Sequence, residues 1–240
     1  MKERPILMSA PMVRALLAGT KTQTRRVLRN QPRSVALVPS GNHLFDYREG
    51  YEDYERVVPV DKAVTLCPYG RPGNRLWVRE TWGYRCSAST ATAGQYMHTV
   101  VYRADDARHN YGPMPMDDVG LPRWRERKEG EAWPEWDDYM TAYWRQWRPS
   151  IFMPRWACRI TLEITEVRVQ RLQDISEEDA KAEGIGEFIG GWACLTDDDP
   201  QIAGDTPQDG YRHLWERING AGSWGTNPWV WCLSFKRIAS

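Results

Sequence analysis

Apolar positions along the chain repeat with two different periods, and the changes of period mark out the elements. "RPILMS" (4–9) reads as a short strand. Ser9 is placed to cap a helix and Pro11 suits a first helical turn, so a helix is predicted over "PMVRALLAG", ending at Gly19. Met12, Ala15 and Leu16 form its inner face. "TQTRRVL" follows as an extended segment, its Thr, Val and Leu suiting a strand. Far along the chain Cys158, Ile160, Leu162 and Ile164 alternate, and then the phase slips to Val167 and Val169. One long strand with a bulge or bend near Thr165–Glu166 produces that slip.

Between these regions the pattern is weaker. Residues 30–65 are charged and without clear period, which predicts loop with one hairpin at most. In "CPYGRPGNRLWVRETW" (67–82) two Gly and two Pro precede a strand in which Leu76, Val78 and Glu80 share one face. Trp77, Arg79 and Thr81 take the other. Residues 86–150 read as a long, partly irregular insertion with one strand at "MHTVVYRA" and at most one short helix in the Trp-rich stretch after it. "DISEEDAKAEGI" predicts a compact helix with Ser176 as its cap, Glu177 and Glu178 in its first turn and Gly184 at its end. The acidic stretch 195–210 reads as an exposed loop. "DGYRHLWERING" predicts a further helix with Tyr211, Leu214, Trp215 and Ile218 on one side, and "PWVWCLSFKRI" a closing strand. Several strands of shifting phase and few helices predict an α+β fold, a small bent sheet or barrel with helices outside it. The whole of 1–240 is read as a single domain carrying the insertion at roughly 86–150.

Composition narrows the chemistry. Lys+Arg and Asp+Glu are equal at 32 each, which counts against strong non-specific nucleic-acid binding by the molecule as a whole. No apolar run is long enough to span a bilayer and no secretory leader is recognisable, so neither a membrane role nor export is expected. Five Cys stand far apart with no C-x-x-C pair, which argues against a disulfide framework and fits a reducing, cytoplasmic setting. The four His show no ligand spacing, so neither a metal nor any other cofactor is expected. Thirteen Trp supply packing area, and each also offers a flat face to a nucleobase.

Two places resist a purely structural reading. Glu183 falls at the end of its predicted helix, where the helix dipole disfavours a negative charge; its carboxyl is expected to exchange protons near neutrality or to sit at the surface at small cost. In "GTKTQTRR" (19–26), Lys21 and Thr24 lie at a helix-to-strand turn beside Arg25 and Arg26. This is either a solvated basic turn or a desolvated Lys able to take a proton from a hydroxyl, with Thr20 and Thr22 as rival hydroxyls.

"GTKTQTRR" after a short helix, with "LQDISEEDAKAEGI" and the closing "PWVWCLSFKRI", resembles the ASCH domain family, a small β-barrel similar to the PUA fold. "PGNRLWVRETW" and "WRPSIFMPRWACRITLEIT" are similar to the longer, phage- and prophage-type members. The resemblance covers most of the chain outside residues 86–145. It implies a nucleoside or RNA ligand, since small bacterial members are amidohydrolases that remove the acetyl group from N4-acetylcytidine with a Lys, a Thr and a Glu. By motif those roles pass to Lys21, Thr24 and Glu183. The small members place a hydrophobic residue between the Thr and the Arg, where this chain has Arg25, so Arg26 is the matched arginine.

The implied reaction is hydrolysis of an N4-acylated cytosine nucleoside. Lys21 deprotonates either Thr24, giving an acyl-enzyme, or water directly, and Glu183 protonates the leaving N4 nitrogen. Arg26 or backbone N–H groups of the 19–24 turn would hold the oxyanion. Arg25, Glu80 and Trp82 are the remaining substrate-binding candidates, Trp82 by stacking on the base. The alternatives are an RNA-binding module built on Lys21, Arg25, Arg26, Arg29 and Arg33, or a metal-independent ribonuclease using the same basic residues.

Overall fold

The computed structural model describes residues 2–29, 31, 35–37, 43–47, 56–59, 64–88, 96–114, 147–188, 190–194 and 204–238. In chain order the elements are β1 (Glu3–Leu7), α1 (Ala10–Ala18), β2 (Gln23–Val27), β3 (Val35–Leu37), β4 (His43–Tyr47) and β5 (Arg56–Pro59). They continue with β6 (Arg75–Arg79), β7 (Trp82–Ala88), β8 (Tyr96–Tyr102), β9 (Arg108–Met114) and β10 (Thr161–Arg171). The last five are α2 (Glu177–Ala182), β11 (Ile185–Phe188), β12 (Gly191–Cys194), α3 (Pro207–Asn219) and β13 (Trp229–Ile238), with short 3-10 turns between some of the elements. The architecture is mixed α+β, mostly sheet with few helices. No helix among the described residues is long and apolar enough to cross a membrane.

The chain divides into two compact units: Met1–Ile6, Pro11–Val78 and Arg159–Ser240 form the first, and Leu7–Ala10 with Arg79–Cys158 the second. The first is built on a five-stranded sheet in the order β1-β6-β10-β13-β2. β10 and β13 pair antiparallel along their whole length, and the register shifts between Ile164 and Glu166, as the phase slip in the sequence predicts. The extra residue puts Ile164 opposite Phe235 and Val167 opposite Leu233, so the apolar row stays on one face on both sides of the bulge. Leu162, Ile164, Leu233 and Phe235 are buried there. The other face carries Glu166 opposite Ser234 and Arg168 opposite Cys232.

The helices form where the capping signals lie. α1 begins directly after Ser9, buries Met12, Val13, Ala15 and Leu16, and stops at Gly19, whose φ of 77° suits a residue without Cβ. Ser176 caps α2 by accepting a hydrogen bond from the Asp179 N–H. α3 starts four residues before the apolar pattern does, because Thr206 and Asp209 form a capping box around Pro207. Tyr211, Leu214 and Trp215 are buried on α3, whereas Ile218, expected on the same side, is 59% exposed. It lies in the last turn, beyond the elements α3 covers. Two further sheets escape the sequence pattern: the hairpin β11–β12, and β3-β4-β5, three strands where at most one hairpin was expected.

The second unit corrects the picture of an irregular insertion. β7, β8 and β9 form a regular antiparallel sheet, with β8 at the predicted "MHTVVYRA" strand. Trp82, Tyr84, Val100, Tyr102, Met153 and Ala157 form one buried cluster, with Trp156 packed against it. The Tyr102 hydroxyl donates to the Ala157 carbonyl at 2.9 Å, so that polar tip is satisfied inside the cluster. The short helix expected in the Trp-rich stretch and most of the acidic loop 195–210 lie outside the described residues.

Candidate functional site

Lys21 is carried into the interior of the first unit by the end of α1. The N–H groups of Thr20 and Lys21 both donate to the Ala15 carbonyl, at 3.0 and 3.2 Å, turning the chain back at Gly19. Lys21 then forms an isolated antiparallel bridge with Glu183, and the Thr22 N–H donates to the Ala182 carbonyl at 2.8 Å. The end of α2 is thereby tied to the start of β2 through the backbone. Gly184 permits the approach: with φ at 99° it follows Glu183, and a Cβ there would stand 3.3 Å from Ala15 Cβ and 3.7 Å from Lys21 Cβ.

The side chains complete the junction. Lys21 Nζ donates to Glu183 Oε2 at 2.6 Å and to the Glu183 carbonyl at 2.8 Å. Arg25 Nη1 reaches Glu183 Oε1 at 3.4 Å, so two cations share one carboxylate. Arg25 Nη1 also donates to Gln23 Oε1 and Nη2 to Asp179 Oδ2, both at 2.6 Å. Asp179 accepts in addition from Gln23 Nε2 at 2.9 Å and from Arg168 Nη2 at 2.9 and 3.2 Å. The Arg25 guanidinium stands 5.7 Å from the centre of the Tyr211 ring, a cation–π contact. Lys21 and Glu183 are each 3% exposed and Arg25 4%, so the three charges meet with almost no water between them.

Burial sets the proton chemistry of this cluster. Loss of hydration pushes the Lys21 ammonium below its ordinary value against the opposing pull of Glu183, and the Arg26 guanidinium adds to the lowering. Burial alone would raise the Asp179 carboxyl, but hydrogen bonds from Gln23 and Arg168 and the charges of Arg25 and Arg168 outweigh it and hold it below the usual range. The Cys232 thiol, opposite Arg25 in the β2–β13 register, is pushed up to about 12 by burial and stays neutral.

Of the residues singled out in the sequence, Lys21, Glu183 and Arg25 come together, although Lys21 and Glu183 are 162 positions apart. Thr24 does not join them. In β2 it pairs with Leu233, which places it on the apolar face with Val167, while Gln23 and Arg25 lie on the other. It is buried, and among the described residues neither Lys21 nor Glu183 is its hydrogen-bond partner. The rival Thr20 hydroxyl is engaged with the Ala15 carbonyl at 3.2 Å, and Thr22 is exposed. Arg26 pairs with Trp231 on the same face as Thr24 and is half-buried.

Arg25, expected to contact substrate, instead spends both terminal nitrogens on protein carboxylates and Gln23. Glu80 and Trp82 belong to the second unit. Glu80 is 1% exposed, with its N–H donating to Met153 Sδ. Trp82 is a core residue, 2% exposed, with Tyr84 and Trp156 edge-on to its ring and the Arg148 guanidinium 5.2 Å from its centre. Its packing takes up the ring expected to stack on a base.

The sequence reading did not single out Gln23, Arg168 or Asp179 and took Tyr211 only as an apolar helix position. Asp179 was hidden because an acid in the first turn of a helix is explained by the dipole alone. Gln23 and Arg168 were hidden because each stands in the polar row of its strand, where such a residue needs no further explanation. Among the described residues no group of three or more His, Cys, Asp or Glu is placed to hold a metal ion. The chain matches no protein-family model, no curated protein and no solved structure.

Proposed function

We propose that the chain is an amidohydrolase of the ASCH type that removes an acyl group from N4 of a cytosine nucleoside, with the five-stranded sheet as its PUA-like barrel. The observation that carries this reading is the 2.6 Å contact between Lys21 Nζ and Glu183 Oε2, two residues that the family motif selects. A buried amine with a lowered pKa is a base, and a carboxylate in contact with it passes the proton on.

In the route the geometry favours, neutral Lys21 takes a proton from water. The hydroxide oxygen bonds to the acyl carbon, the C–N4 bond breaks, and the proton returns through Glu183 to the departing nitrogen, leaving free cytosine amine and carboxylic acid. Arg26, half-buried and near enough for its charge to lower the Lys21 ammonium, is the side chain we assign to the oxyanion. The acyl-enzyme route through Thr24 has less support, because the β2 register turns Thr24 toward Leu233 and away from Arg25 and Glu183. The RNA-binding and ribonuclease readings lose support for a related reason. Lys21 and Arg25 are enclosed and ion-paired rather than presented to a phosphate backbone.

The test is incubation with N4-acetylcytidine and with bulkier N4-acyl cytidines, following release of cytidine by chromatography. Turnover lost in Lys21→Met and Glu183→Gln but retained in Thr24→Val supports the water route. Absence of turnover by the wild-type protein across the series overturns the proposal. Loss of turnover in a folded Thr24→Val protein would return Thr24 to the nucleophile's place.

A further inference from the structure

A buried carboxylate needs a cation. If Lys21 is to act as a base it must give up its proton beside Glu183, which would leave that carboxylate without its closest counter-charge. Left alone at 3% exposure, such a carboxylate would compete for the proton, and the pair would hold it to much higher pH. The structure supplies a second cation: Arg25 Nη1 stands 3.4 Å from Glu183 Oε1, on the oxygen that Lys21 does not use. An arginine is charged at every pH the protein meets. Arg25 is itself held in place by Asp179 and Gln23 through its two terminal nitrogens and by the Tyr211 ring.

We infer that Arg25 is a positioning residue acting through Glu183: as the permanent counter-charge of that carboxylate, it lets Lys21 lose its proton without stranding a buried anion. Asp179 is the balancing weight, an anion that draws part of Arg25's charge away from Glu183. The inference rests on the hydrolytic reading for its catalytic meaning, but the charge relation itself is independent of any substrate. The charged and titratable groups around the pair are Arg26 on β2, Arg168 on β10, Asp179 on α2, Cys194 on β12, Tyr211 on α3 and Cys232 on β13. Burial keeps the phenol of Tyr211 and the thiol of Cys232 protonated through the range of interest, so among the groups fixed in this cluster only Arg25 and Asp179 differ in charge between the variants below.

The relation makes a prediction with two opposite signs. In protein labelled with 13C-lysine, the Lys21 Cε resonance, assigned by its absence in Lys21→Met, reports loss of the last proton from the Lys21–Glu183 pair. Arg25→Gln removes the permanent cation, and its midpoint should rise by about one pH unit, the usual size of a single close charge effect. Asp179→Asn removes the competing anion, and its midpoint should fall by about half a unit. The alkaline limb of kcat/KM for N4-acetylcytidine should move with each. A loosened structure has no reason to move the two in opposite directions. No shift in folded Arg25→Gln, or shifts of the same sign in both variants, overturns the inference. Should Arg25→Gln fail to fold, Asp179→Asn decides alone: a fall supports it, and a rise or no change overturns it. If the wild type hydrolyses no N4-acyl cytidine, the proposed function fails while the Cε titration still settles the part played by Arg25.

Discussion

The charged junction of the first unit and the aromatic cluster of the second are buried to a similar degree but built on opposite principles. In the first, Lys21, Arg25 and Glu183 are enclosed with the half-buried Asp179 at their edge, and every charge depends on a named partner. In the second, Trp82, Tyr84, Val100, Tyr102, Met153 and Ala157 share a largely apolar contact, within which the Tyr102 hydroxyl finds its acceptor in the Ala157 carbonyl. Removing a group from the aromatic cluster loses area, and the cost grows with the void left behind. Removing one from the charged cluster leaves a neighbour's charge uncompensated, and the cost follows from what remains. A protein that retains the charged arrangement gains no stability from it that well-packed hydrophobic residues would not supply, which is consistent with a chemical purpose.

The largest expected effect separates the two regions by function. Lys21→Met should lower hydrolysis of N4-acetylcytidine by about a hundredfold to ten-thousandfold, the usual contribution of a general base, whereas Trp82→Phe should leave the rate per folded molecule nearly unchanged. A steady-state rate assay on purified, folded protein decides this. Next in size is a stability contrast. Glu183→Leu should destabilise by about 3–5 kcal/mol in urea unfolding, because it strands Lys21. Adding Lys21→Met to a Glu183→Leu protein should recover most of that loss, turning the junction into a small apolar core like that of the second unit. If the double variant were no more stable than the single, the comparison would break.

The pH dependence sharpens it further. The folded-state pKa of Lys21 is lowered from 10.5, so the unfolded chain binds that proton more tightly. The wild type should therefore gain stability over Lys21→Met as pH rises from the folded value toward 10.5, read as the difference between their unfolding free energies. Asp179 works at the other end. Its folded pKa lies below 3.8, so its contribution is complete above that value and lost as pH falls through the folded one. Asp179→Asn should flatten the acid limb of the stability curve. The smallest effects are a matched pair of polar deletions. Ser176→Ala and Tyr102→Phe should each cost about 1 kcal/mol, one by losing a helix cap and the other a buried hydrogen bond. Only Ser176→Ala, which loosens the Asp179 end of the charged cluster, should also disturb hydrolysis.

How much of this was legible in the sequence depended on how local the signal was. The end of α1 at Gly19, the cap of α2 and the slip of phase in β10 are set by residues within a few positions of each other, and they read directly. The pairing of Lys21 with Glu183 was reached through the family motif and not through periodicity, because no local rule joins residues so far apart. The β7-β8-β9 sheet was obscured by the irregular composition around its one clear strand. Spacing along the chain brings Thr24 near Lys21, but strand alternation places it on the face opposite Arg25, a point that only the register reveals. The contacts of Arg25 with Asp179 and Glu183 could not be read from residues 19–26, because both partners lie far along the chain.

The bulge between Ile164 and Glu166 gives β10 something like a reading frame. Ahead of it even-numbered residues face the apolar side, and beyond it odd-numbered residues do, which is why Arg168 meets Asp179 while Val167 meets Leu233. Many single substitutions along the strand leave that frame intact. Deleting the extra residue at the bulge would restore unbroken alternation and leave both rows in place, whereas deleting a residue just beyond it would exchange the rows, turning a guanidinium into the core and valines toward the acids. The strand therefore tolerates changes of letter far better than changes of count, and the intactness of the charged junction is written partly in the length of a strand that contributes only one arginine to it.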